Sequence, residues 1–87
     1  MHLPYLIEGQ LITVNYIGTN IKRQGILDKI SYDDEQNIKE LILKYPSNDN
    51  EEIKSWKIIN SDASYLIKTI MVESNEEAVI FKIKYRI

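Results

Sequence analysis

Apolar and polar residues alternate along much of this 87-residue chain. That period of two belongs to half-buried strands, whose side chains point to opposite faces in turn. Over residues 11–17, Ile12, Val14 and Tyr16 share one side, and Gly18-Thr19-Asn20 supplies a turn. Residues 21–32 predict a longer second strand interrupted by Gly25. A glycine there marks a bulge, a bend or a close approach of backbone. The polar run Asp33-Asp34-Glu35-Gln36-Asn37 turns the chain into a third strand, residues 38–45, where Leu41, Ile42 and Leu43 are apolar in succession. Such a run calls for cover on both faces.

Residues 46–52 form a polar loop, and residues 53–60 a fourth strand with Trp56 and Ile58 on one face. After the turn Ser61-Asp62-Ala63-Ser64, residues 65–73 and 78–87 predict a hairpin around Ser74-Asn75-Glu76-Glu77. Its last strand alternates cleanly, with Val79, Phe81, Ile83, Tyr85 and Ile87 facing the core and Lys82, Lys84 and Arg86 facing water. A slip of one residue would bury those cations, so its register is well specified. One segment has a competing reading. A helix near residues 33–45 would place Asp33 as its cap and Ile38, Leu41, Ile42 and Tyr45 at helical spacing.

Composition agrees with strands. Sixteen residues are isoleucine and two are alanine. Branching at Cβ favours the pleated sheet, and alanine, the best helix former, is scarce. The expected fold is all-β: one domain over residues 1–87, a five- or six-stranded antiparallel bent sheet or open barrel. The alternative is α+β, with the helix near 33–45. No cysteine is present, so disulfides and thiolate chemistry are excluded. No apolar run reaches the length of a membrane span, and residues 1–9 lack the features of a secretory leader, which leads us to expect a cytoplasmic protein. The abundance of Ile, Lys, Asn and Tyr suggests an AT-rich genome, such as that of a low-GC bacterium or its phage.

Catalytic chemistry finds little material. His2 is the only histidine and stands at the chain terminus, where a general base is poorly held. The acidic groups Asp33-Asp34-Glu35 and Asp49-Asn50-Glu51-Glu52 lack calcium-loop spacing, and the three glycines form no phosphate-binding motif. Neither enzyme activity nor a cofactor is expected. Lys82, Lys84 and Arg86, with Lys68, would make a basic stripe suited to nucleic acid, although the net charge is −2. A charged outer face that keeps the sheet soluble accounts for the same residues. The acidic middle of the chain would suit a basic partner or serve solubility alone.

The alternating strand at 11–17, the pattern G-x-[IL]-x-x-I in Gly25-Ile26-Leu27-Asp28-Lys29-Ile30, and Asn37-Ile38-Lys39-Glu40-Leu41 resemble the Sm-like small barrels. Among these are the YolD-like proteins of low-GC bacteria and phages. The resemblance covers about half the chain and implies a small barrel. It matches no RNA-binding signature residue by residue, so no site is carried over.

The expected function is a non-enzymatic protein-interaction module, encoded by a phage or mobile element and regulating or inhibiting a host protein. Trp56, Ile42, Ile70 and Ile80 are the partner-binding candidates, and pairing of sheet edges would also give a homodimer. The alternative is a nucleic-acid-binding barrel using Lys82, Lys84, Arg86 and Lys68.

Overall fold

The computed structural model describes residues 6–18, 20, 22–47, 52–59 and 67–87. Five strands and one helix follow in order: β1 (Leu11–Tyr16), β2 (Lys22–Tyr32), β3 (Ile38–Pro46), β4 (Ile53–Ile59), β5 (Ile67–Val72) and α1 (Asn75–Tyr85). The strands form a single antiparallel sheet in the order β4-β3-β2-β1-β5. The first four make a meander, while β5 returns to pair with β1. Strands β4 and β5 are thus the two edges, and the sheet curls without closing.

The curl is visible across the concave face. Tyr16 on β1 and Trp56 on β4 are separated by two strands, yet their rings meet edge to face at 5.4 Å and 82°. The alternation read from sequence supplies this face: Ile12, Val14, Tyr16, Leu27, Leu41, Leu43, Ile58 and Ile70 are buried together. Two features let β2 bend. Its pairing with β3 slips between Leu27 and Lys29, a bulge that places Asp28 as the extra residue. Beside it, Gly25 lies so close to β3 that a Cβ atom would stand 2.6 Å from the Lys44 carbonyl oxygen. Only hydrogen fits there.

Two readings of the sequence need correction. Residues 33–45 are not helical. The Asp33 carboxylate accepts from the N–H groups of Glu35 and Asn37, both at 2.9 Å, which closes a turn instead of opening a helix. Gln36 completes that turn with φ 68°, and β3 follows.

The larger correction concerns residues 78–87, read as the last strand of a hairpin and found mostly in α1. Local chemistry at Ser74 explains it. The Ser74 hydroxyl accepts from the Glu77 N–H at 3.2 Å, the N-cap half of a capping box. Glu76 and Glu77 then sit in the first turn and Lys82 and Lys84 in the last, matching the helix dipole. Arg86 ends the helix in the left-handed conformation (φ 56°, ψ 44°), and the N–H groups of Arg86 and Ile87 both reach the Lys82 carbonyl.

The helix lies on the convex face, where Ala78 packs with Leu11 and Ile26, and Phe81 and Ile87 lie against this cluster. The predicted strand face mixed residues that the helix separates. The described part is thus a five-stranded antiparallel sheet with one short helix. No helix among the described residues is long and apolar enough to cross a membrane.

Candidate interaction surface

With a step of about 100° per residue, α1 has two dissimilar long sides. Ala78, Phe81 and Tyr85 follow one another at i, i+3 and i+7 on the side facing the sheet. Phe81 and Tyr85 contact each other with ring centroids 4.8 Å apart, and the Lys84 ammonium lies 5.1 Å from the Tyr85 ring centre. Next to them an open groove of about 330 Å³ runs between α1 and the sheet, lined by Leu11, Gln24, Glu77, Ile80, Phe81, Lys84 and Tyr85.

The opposite side carries Val79, Ile80 and Ile83, with relative exposures of 53, 64 and 73%. A helix that packs one apolar side and presents a second is unusual for a solvent-facing element. The turn before β1 borders α1 closely, since a Cβ atom at Gly9 would lie 3.4 Å from the Lys82 ammonium. That turn adds Ile7, also exposed. Met71 and Val72, at the end of β5 leading into the helix, are exposed as well.

Charge on α1 is polarised along its axis. Glu73, Glu76 and Glu77 gather at its start and Lys82, Lys84 and Arg86 at its end. Glu73 holds its proton above the ordinary carboxylate range, first because it hydrogen-bonds the Glu77 side chain, then through partial desolvation and the neighbouring negative charge.

The predicted site residues scatter over this architecture. Ile80 is on the outward side of α1. Ile70 is buried in the concave core opposite Val14. Ile42 is half-buried on the convex face, between Lys29 of β2 and Lys57 of β4. Trp56 is half-buried, with the Arg23 guanidinium 4.9 Å from its ring centre.

The bases predicted to form a stripe are redistributed by the helix. Successive members of Lys82, Lys84 and Arg86 are about 200° apart around α1, so no single long side presents all three. Lys68 joins Lys22, Asn15, Tyr16, Asn20 and Thr69 around an open recess of about 350 Å³. The Asn15 side-chain amide donates to the Thr69 hydroxyl there at 2.9 Å. His2, Asp49, Asn50 and Glu51 lie outside the described residues.

Sequence reasoning missed Val79 and Ile83, which it assigned to the core. The signal that would have found them is Ser74-x-x-Glu77 ahead of an apolar run, a helix start that outranks strand alternation. Comparison with protein-family models, curated proteins and solved structures gives no match for this chain.

Proposed function

We propose that this chain is a non-enzymatic protein-interaction module that docks through the outward side of α1. A module of this kind acts by occupancy, regulating or inhibiting the protein it covers. One observation carries the reading: Val79, Ile80 and Ile83 present three large β-branched side chains to solvent on a helix whose other side already packs against the sheet. Leaving such side chains in water forgoes roughly 25 cal/mol for each Å² of apolar area that a partner would cover. Folding does not require them outward, because Ala78 and Phe81 already hold the helix to the sheet.

The test compares the wild-type chain with Ile83→Glu as immobilised baits for protein. Ile83 makes little contact with the core, so the variant keeps its fold, checked by circular dichroism. Retention of protein by the wild type and its loss from the variant is the expected result. Recovery of nucleic acid alone, equal for both baits and falling steeply with salt, would overturn the proposal in favour of a nucleic-acid-binding small barrel.

A further inference from the structure

We infer that the outward side of α1 is self-complementary and binds a second copy of this chain, with the two helices antiparallel across a two-fold axis. The inference rests on the interaction reading above and names the partner for the same surface. Its basis is the combination of one apolar ridge with one polarised charge pattern. Glu76 borders the ridge at one end and Arg86 at the other, while Glu77 and Lys84 line the groove towards the sheet.

An isologous pair places the same patch on both sides, so each contact occurs twice. With the axis beside residue 81, Val79 stands opposite the partner's Ile83, and Glu76 opposite the partner's Arg86. Opposite charges then meet at both ends of the ridge. A parallel arrangement sets Glu76 against its own copy and Arg86 against its own, which is unfavourable. Charge therefore selects the antiparallel register, while Val79, Ile80 and Ile83 supply the dry centre.

The eleven-residue helix is about 16 Å long, so the contact belongs among small interfaces below about 1,200 Å² and the dimer is reversible.

The experiment is sedimentation equilibrium on the full chain from micromolar to millimolar concentration, beside the bait comparison described above. The expected result is a mass rising from 10.2 kDa towards twice that value, with Ile83→Glu staying monomeric. Two charge variants test the orientation: Glu76→Lys alone, and Glu76→Lys combined with Arg86→Glu. The single change sets two cations together at each end of the antiparallel pair and is expected to remain a monomer. The double change restores opposite charges at both ends and is expected to dimerise again, whereas in a parallel pair it would still set like charges together. A double variant that stays monomeric while the wild type dimerises overturns the antiparallel register.

A wild-type chain that stays at 10.2 kDa throughout overturns self-association. If protein capture still depends on Ile83 in that case, the interaction reading survives with a different partner. If capture is also independent of Ile83, both fall.

Discussion

At the scale of single residues, main-chain geometry decides which positions tolerate change. Gly25 stood out in the sequence because a glycine inside a strand signals a bulge, a bend or a close backbone approach. Which of the three applies depends on how near β3 comes, and no local pattern encodes that distance. The structure identifies a steric cause, a Cβ atom 2.6 Å from a main-chain carbonyl that cannot rotate away. Gly25→Ala is expected to destabilise the fold by about 1–3 kcal/mol, the range for overpacking, read as a lowered denaturant midpoint. Gln36 is the opposite case. It holds φ 68° at an exposed turn, a conformation that costs a non-glycine residue about 1 kcal/mol. Gln36→Gly relieves that cost and is expected to raise the midpoint. An unchanged midpoint would mean that the turn does not hold this conformation in solution.

At the scale of elements, the sheet was legible and the helix was not. Strands β1 to β4 follow from alternation bounded by turn residues, because period two leaves few choices for where apolar side chains go. The segment after Ser74 satisfies two periods at once. Val79, Phe81, Ile83, Tyr85 and Ile87 alternate, while Ala78, Phe81 and Tyr85 keep helical spacing. Its isoleucines favour the strand by intrinsic propensity, so the cap and the packing of Ala78 on Leu11 and Ile26 tip the balance. Ser74→Ala therefore removes one of the two features that favour the helix. It is expected to cost about 1 kcal/mol and to lower the helical signal at 222 nm while Trp56 fluorescence stays unchanged. The acidic start of α1 also carries a pH dependence. The folded-state pKa of Glu73 is raised beside Glu77, so the stability this contributes is present at low pH and lost as pH rises through the raised value. A carboxyl titration by NMR is expected to find the Glu73 midpoint above the ordinary range and to see it fall in Glu77→Ala.

At the scale of the whole molecule, strand order was the hidden quantity. Alternation says which side chains share a face but not which strands are neighbours, and nothing local in residues 67–72 chooses β1 over β4 as partner. That choice leaves Lys54 and Lys57 on one edge strand and Lys68 on the other, where charge discourages pairing with a further strand. It also divides the core unequally. The concave cluster draws side chains from all five strands, whereas α1 is held by the small cluster of Leu11, Ile26 and Ala78. Local unfolding follows the number of apolar side chains that must be exposed, so α1 opens more easily than the sheet. Native-state hydrogen exchange is expected to show lower protection for α1 amides than for those of β1 to β3. Under the dimer proposal that gap narrows as protein concentration rises, since association protects the helix and not the concave face. In Ile83→Glu it is expected to stay wide at every concentration. Equal protection of helix and sheet in dilute solution would show that α1 and the sheet open as one unit, contrary to the division of the core.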